Sequence, residues 1–172
     1  MCRTVGELTS ERVYVSLLGR SAWALVNTYY AVVRERQYRP DTVSIAVEAP
    51  FSGRAGAVSE AVRAISEHNG FSPEIECIPV DQGDVVDVFS KVYALMVSKK
   101  REGAKVALDI TPGRKAVVAG TLLPIKLDDV DHVFYLEIST TRDVAKPYQM
   151  IPRQYHTLHD FKAEAVRARD GD

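Results

Sequence analysis

The heptapeptide Asp109-Ile110-Thr111-Pro112-Gly113-Arg114-Lys115 is the most informative stretch of the chain, because it joins a strand-like apolar run to a helix-like apolar run. The strand-like run covers 106–110. A buried strand that ends in a Thr-Pro-Gly turn and leads into a helix presents unpaired backbone N–H groups at the turn. Gly113 lets the backbone approach a ligand closely, and Arg114 and Lys115 add full positive charges. The stretch therefore predicts a site for phosphate groups.

The composition is typical of a single soluble domain. The 172 residues are 46% hydrophobic and 26% charged, and the formal net charge is −1. A nearly neutral chain with one local basic loop suits a small anionic ligand better than a long nucleic acid. The two cysteines, Cys2 and Cys77, are too few for a disulfide framework and favour a reducing compartment. No signal peptide is visible and no apolar run reaches the roughly 18 residues of a membrane span, so we expect a cytoplasmic protein.

Strand-like and helix-like segments alternate along the chain. Period-two patterns and short apolar runs predict five strands, at 12–18, 42–47, 74–79, 106–110 and 132–138. Helical spacing of apolar residues predicts helices at 22–37, at 58–69, at 84–101 and at 115–123. The third strand is expected at a sheet edge, because Pro79 cannot donate to a ladder. A sixth strand is predicted near Tyr148 to Ile151, and the charged stretch 157–169 is predicted to be helical.

Repeated strand–helix units predict an α/β fold with a Rossmann-like parallel sheet of five to six strands and helices on both faces. Ligands of such folds bind beyond the carboxyl ends of the strands, where the strand order reverses. With the order 3-2-1-4-5, that point lies between strands 1 and 4. Their exit loops are Gly19-Arg20-Ser21 and Thr111-Pro112-Gly113-Arg114-Lys115. Two independent sequence signals therefore converge on one crevice.

Several common site motifs are absent from the sequence. No Gly-x-Gly-x-x-Gly follows the first strand, and no Gly-x-x-x-x-Gly-Lys-Ser/Thr phosphate loop occurs. His156 and His159 have a spacing that can serve a metal, but no accompanying carboxylate pattern supports such a site. Ser21 has no nucleophile-elbow context, which argues against a serine hydrolase. We expect neither a metal nor a cofactor.

Two segments resemble the signatures of CARF (CRISPR-associated Rossmann fold) domains. The first is Ser16-Leu17-Leu18-Gly19-Arg20-Ser21-Ala22, and the second, more specific one is the heptapeptide with the small-residue helix that follows it. The resemblance covers 12–151 in element order. The chain departs from the family pattern at Pro112, where many members have a second glycine, at Arg20, where a small hydroxyl residue is frequent, and at Ala22, where proline is common.

The resemblance implies a homodimer whose two crevices join across a two-fold axis. The joint pocket would bind a cyclic oligoadenylate, the second messenger of type III CRISPR immunity, with cyclic tetra-adenylate as the favoured ring. A symmetric ring suits an isologous interface, because each loop appears twice. The ligand-binding residues that the resemblance implies are Gly19, Arg20, Ser21, Trp23, Asp109, Thr111, Pro112, Gly113, Arg114 and Lys115.

Some of these residues also have a structural interpretation. Ser21 is equally suited to capping a helix, and Trp23 to packing in a core or a dimer interface. Asp109 is expected to orient its loop through backbone hydrogen bonds rather than to perform acid–base chemistry. Arg54, in the loop after strand 2, is within reach of the same rim, although we interpret it as a surface-loop residue.

Three functions fit these observations. The domain is a sensor that passes the signal to an effector, or a metal-independent ring nuclease, or an unrelated nucleotide- or phosphosugar-binding domain. In the nuclease, a ribose 2′-hydroxyl attacks its adjacent phosphorus and leaves a 2′,3′-cyclic phosphate; Lys115 would stabilise the phosphorane and Ser21 would orient the hydroxyl. We divide the chain into a CARF-like domain, 1–152, and a segment 153–172 that forms a charged helix or begins a downstream effector domain absent from this chain.

Overall fold

The alternation of strand and helix signals produces a three-layer α/β fold. The computed structural model describes residues 10–81, 83–126 and 128–170, so Cys2 lies outside the described residues. The strands are β1 (Arg12–Leu18), β2 (Thr42–Glu48), β3 (Glu74–Val80), β4 (Lys105–Asp109), β5 (His132–Ile138) and β6 (His156–Asp160). The α-helices are α1 (Ala22–Arg36), α2 (Ala55–His68), α3 (Val85–Arg101), α4 (Lys115–Leu122) and α5 (Phe161–Asp170).

The six strands form one sheet in the order β3-β2-β1-β4-β5-β6. Strands β1 to β5 pair in parallel, and β6 is antiparallel to β5. The predicted order 3-2-1-4-5 is therefore confirmed, and so is the edge position of β3, where Pro79 does not interrupt a ladder. The order reverses between β1 and β4, which places the carboxyl ends of these two strands side by side.

The sixth strand lies later in the sequence than the pattern predicted. The stretch Tyr148–Met150 forms a 3₁₀ turn, and the strand is His156–Asp160. Prolines on both sides of the turn, Pro147 and Pro152, lack the N–H groups that a ladder needs there. The predicted helix over 157–169 is corrected accordingly, because α5 begins only at Phe161. The segment after residue 152 thus contributes a strand as well as a helix.

Helices cover both faces of the sheet, as predicted. Alternate residues of each strand point to opposite faces, so β1 supplies Tyr14 to one core and Val15 to the other. In the first core, Tyr14 meets Tyr29 of α1 edge to face, with 5.2 Å between ring centroids. In the second, Leu108 of β4 packs with Met96 of α3. Full burial of each such side chain contributes about 1.5–3 kcal/mol to the free energy of folding. The packed cores therefore hold in place the strand ends that carry the loops.

Candidate ligand site at the carboxyl ends of β1 and β4

Two loops leave the sheet side by side, the β1 loop (19–21) and the β4 loop (110–114), and we call the space above them the crevice. Because β1 and β4 are hydrogen-bonded neighbours, the two loops begin next to each other. A Cβ atom on Gly19 would lie 2.5 Å from the carbonyl oxygen of Pro112. The backbones of the two loops therefore touch, and only glycine permits this approach.

A second glycine fits the turn of the β4 loop into the core. A Cβ atom on Gly113 would lie 2.6 Å from Cγ2 of Val118 and 2.9 Å from Cδ1 of Leu17. The absence of a side chain thus lets the first turn of α4 pack against the end of β1. This packing holds the N-terminus of α4 beside the β1 loop.

A buried carboxylate anchors the β4 loop from below. Asp109 is fully buried and accepts hydrogen bonds from the Thr111 N–H, at 2.9 Å, and the Ser16 hydroxyl, at 3.0 Å. The Thr111 hydroxyl in turn accepts from the N–H of Leu136, at 2.9 Å, so the loop is also tied to β5. Burial raises the pKa of Asp109 to about 6, although the hydrogen bonds from Thr111 and Ser16 oppose the rise. Burial, together with the nearby Asp109 carboxylate, also raises the pKa of Tyr14.

The N-terminus of α4 faces the crevice without a side-chain cap. Arg114 occupies the N-cap position and its side chain makes no cap hydrogen bond, and the first turn contains no acidic residue. The first backbone N–H that bonds back into the helix is that of Val118, which donates to the carbonyl of Arg114 at 2.9 Å. Lys115 is exposed, and its side chain makes no hydrogen bond or ion pair with the residues that the structure describes. These groups are available to an anion.

Arg114 pairs with a buried acid that the sequence analysis did not identify. Glu48, the last residue of β2, is 4% exposed, and its Oε1 lies 3.0 Å from Nε of Arg114. The other carboxylate oxygen, Oε2, is buried and has no hydrogen-bond partner among the described residues. The sequence carried a signal for this residue, because an acid that ends an otherwise apolar buried strand needs a partner.

The β1 loop is organised by a cap and by an arginine. The Ser21 hydroxyl accepts from the N–H of Ala24, at 3.2 Å, and thereby caps α1. Arg20 is exposed, and its carbonyl accepts a hydrogen bond of 2.6 Å from Nη1 of Arg54. The interpretation of Arg54 as a surface-loop residue is therefore incomplete, since it reaches the rim. Trp23 is 40% exposed on the first turn of α1.

The structure groups most of the predicted site residues at the carboxyl ends of β1 and β4, and it places Trp23 outside this group. The group around the crevice consists of Gly19, Arg20, Ser21, Asp109, Thr111, Pro112, Gly113, Arg114 and Lys115. Trp23 lies beside it, in a hollow between α1 and α2. A further hollow of about 280 Å³, lined in part by Arg12, Arg39 and Asp41, lies at the amino ends of β1 and β2. This hollow is not part of the site, because it lies at the opposite ends of the strands.

Strand β6 carries His156 and His159, the two histidines whose spacing can serve a metal. Nε2 of His159 lies 3.2 Å from Oε2 of Glu137, and its Nδ1 lies 3.1 Å from Oε1 of Glu164. Within 10–81, 83–126 and 128–170, no cluster of three or more His, Cys, Asp or Glu side chains is arranged for a metal ion. Over the same residues, no helix is both long and apolar enough to cross a bilayer.

Comparison with known proteins gives structural matches only. No family model matches the chain, and no curated protein sequence matches it. One similar structure is a type III CRISPR defence DNA nuclease activated by cyclic oligoadenylate. It has 18% identity and a TM-score of 0.54, and the match covers 76% of this chain and 19% of the nuclease chain. Another is Enterococcus italicus Csm6 bound to cyclic hexa-2′-fluoro-hexa-dAMP, with 16% identity and a TM-score of 0.58, over 94% of this chain and 46% of Csm6.

These matches establish the fold. The chain spans about a fifth of the nuclease chain and about half of the Csm6 chain, at 18% and 16% identity. The six-stranded, mostly parallel sheet with helices on both faces is the Rossmann-like fold that the sequence resemblance implied. The structure therefore fits a CARF domain.

Proposed function

We propose that this chain binds a cyclic oligoadenylate of type III CRISPR signalling in the crevice between the β1 and β4 loops. The uncapped N-terminus of α4, with the exposed ammonium group of Lys115 at its first position, is the observation that carries the proposal. A ring of phosphodiesters brings one negative charge per nucleotide to these donors. The fold match to proteins that are activated by, or bound to, cyclic nucleotide rings supports the choice of ligand.

In this proposal two copies of the chain join their crevices across a two-fold axis. Each loop then appears twice around the ring, so the ligand's symmetry matches that of the dimer. Each crevice offers two cationic elements, Lys115 and the N-terminus of α4, while Arg114 is already held by Glu48. Two cationic elements per crevice match two phosphates per crevice, which favours cyclic tetra-adenylate. A mononucleotide engages one crevice only and would bind far more weakly.

We propose sensing as the primary role, in the cytoplasm, with the signal passed to an effector domain or partner. Sensing is favoured over cleavage because the crevice exposes no acid that is suited to proton transfer among the described residues of the two loops and the strand ends beneath them. The acid of this region with a pKa raised toward neutrality is Asp109, and it is fully buried under the crevice. A second candidate is slow ring cleavage by 2′-hydroxyl attack. It is favoured by Ser21, whose capping bond uses an acceptor lone pair and leaves the hydroxyl hydrogen available to the ribose. Lys115 would then stabilise the phosphorane.

Calorimetric titration with cyclic tetra-adenylate, cyclic hexa-adenylate, AMP and NAD tests the proposal. We expect a cyclic adenylate to bind with a micromolar or lower Kd, and AMP and NAD to bind roughly 100-fold more weakly. NAD binding as tight as that of the rings would instead indicate a generic nucleotide-binding domain. Chromatography of the same mixtures separates the two roles, because a sensor leaves the ring intact for hours and a nuclease releases 2′,3′-cyclic phosphate products. Solution scattering at micromolar concentration tests the dimer.

A further inference from the structure

A small apolar hollow lies between the first turns of α1 and α2. Its volume is about 280 Å³, and the small side chains of Ala22, Ala57 and Ala61 line it together with Trp23 and Arg54. Trp23 is 40% exposed, whereas Tyr29, the buried aromatic on the same helix, is fully covered. The indole thus lies outside the sheet core and presents aromatic surface to the hollow.

The hollow is linked to the β1 loop by one hydrogen bond and by the first turn of α1. Nη1 of Arg54 donates to the carbonyl of Arg20 at 2.6 Å, which ties the start of α2 to the β1 loop. Ser21, the last residue of that loop, caps α1, and Trp23 follows two residues later. A ligand held over the β1 loop therefore has the hollow as its neighbour.

We propose that the hollow takes an adenine base of the ring that the crevice binds, an inference that rests on the proposed function. A base can stack its π face on the Trp23 indole or under the Arg54 guanidinium, and the alanine side chains leave space for a flat group. Apart from the Arg54 guanidinium, the lining offers almost no polar groups for the edge of the base. The subsite therefore strengthens binding by stacking and does not select the base.

A nucleotide is favoured over other apolar occupants because of what lies next to the hollow. Lys115 and the N-terminus of α4 provide an anion site across the crevice, and the hollow provides an apolar one. A nucleotide carries a phosphate and a planar base on one sugar, so it offers one group to each kind of site. An apolar peptide segment or a second copy of the chain would fill the hollow without using the cationic groups.

The sequence provides a direct reporter of the hollow, since Trp23 is the one tryptophan in the chain. Cyclic tetra-adenylate is titrated while heat and intrinsic tryptophan fluorescence are recorded in parallel. We expect fluorescence to be quenched with the same saturation concentration as the heat. Trp23→Ala should weaken binding about tenfold, while Trp23→Phe should retain most of the affinity.

Matched variants separate stacking from general effects of surface truncation. Phe161→Ala removes another aromatic side chain that is 40% exposed, on α5, and should leave ring affinity within twofold of wild type. Arg54→Ala should weaken binding, whereas Arg63→Ala, which removes an exposed arginine of α2, should not. Circular dichroism of each variant verifies that it is folded.

Each outcome bears on a different statement. Ring binding with no change in fluorescence, and with wild-type affinity in Trp23→Ala, overturns the base subsite and leaves the proposed function standing. Absence of ring binding to the wild-type protein overturns the proposed function and the subsite with it. Fluorescence that depends on protein concentration without ligand, together with a monomeric Trp23→Ala variant, identifies the hollow as a subunit contact and overturns the subsite.

Discussion

Replacing Lys115 with alanine should weaken ring binding strongly and leave folding stability unchanged. The side chain is exposed and makes no hydrogen bond or ion pair with the residues that the structure describes, so its loss should change the unfolding free energy by less than about 0.5 kcal/mol. A hydrogen bond to a charged group contributes about 1.5–3 kcal/mol, and the exposure of Lys115 favours the lower end. Two copies per dimer pocket then contribute about 3 kcal/mol, or about 150-fold in Kd.

Arg114→Ala is the matched variant, because it removes a neighbouring charge that also supports the fold. Its removal leaves the buried carboxylate of Glu48 without this ion pair. A fully buried pair that loses one partner costs about 3–5 kcal/mol, but the Arg114 side chain is 38% exposed and solvent screening reduces the cost to roughly 1–2 kcal/mol. Urea denaturation should therefore distinguish the two variants, with a lower midpoint for Arg114→Ala only.

Calorimetry with cyclic tetra-adenylate at fixed ionic strength measures the binding loss. Lys115→Arg keeps the charge and should retain most of the affinity, which controls for changes in local helix structure. Wild-type affinity in Lys115→Ala, measured with a wild-type protein that does bind the ring, would show that the phosphates lie elsewhere. A lowered urea midpoint in Lys115→Ala would show that the side chain supports the fold.

Two further predictions concern the supports of the crevice. Gly19→Ala places a methyl group 2.5 Å from the Pro112 carbonyl oxygen, so it should destabilise the fold by about 1–3 kcal/mol and weaken ring binding, whereas Gly56→Ala, with no atom within 4 Å, should be neutral or slightly stabilising in urea denaturation. For Asp109, burial raises the folded-state pKa from 3.8 to about 6, so its stabilising contribution is complete below about pH 4 and is lost as the pH rises through 6. Between pH 4 and 8, the unfolding free energy of Asp109→Asn should therefore rise relative to that of the wild-type protein by up to about 3 kcal/mol. Parallel pH profiles of unfolding free energy for the two proteins would refute this.

The predictable part of the fold is the part that local patterns encode. Strands β1 to β5 are short apolar runs or alternating patterns bounded by turn residues, and Pro79 alone was enough to place β3 at an edge. Strand β6 carries no such pattern, since Leu158 is its buried apolar residue. It is held instead by antiparallel pairing with β5 and by Asp160, whose Oδ2 lies 2.7 Å from Nδ1 of His132. Pairing of this kind depends on a distant segment and leaves no periodic signal.

The same distinction applies to the crevice. Its two loops could be placed from strand order and from the Thr-Pro-Gly turn, because both are local features combined with a general rule of parallel sheets. The partners of its arginines could not, since Arg114 meets an acid 66 residues earlier in the chain and Arg54 meets a carbonyl 34 residues earlier. These contacts arise only when the ends of β2, β1 and β4 come together.

The acid beside Arg114 changes how the positive charge of the crevice is divided. Because Glu48 is buried and in contact with Arg114, the two side chains together bring almost no net charge to a ligand, and the guanidinium is held in place on the protein side. Lys115, which follows it in the sequence, has no such counter-charge among the described residues and keeps a flexible ammonium group in solvent. Arg114 therefore fixes the β4 loop to the end of β2, and the attraction for phosphate falls mainly to Lys115 and the N–H groups of α4. Gly19 lets the β1 loop contact the β4 loop, and Gly113 lets α4 pack against the end of β1. Both contacts keep the N-terminus of α4 at the crevice.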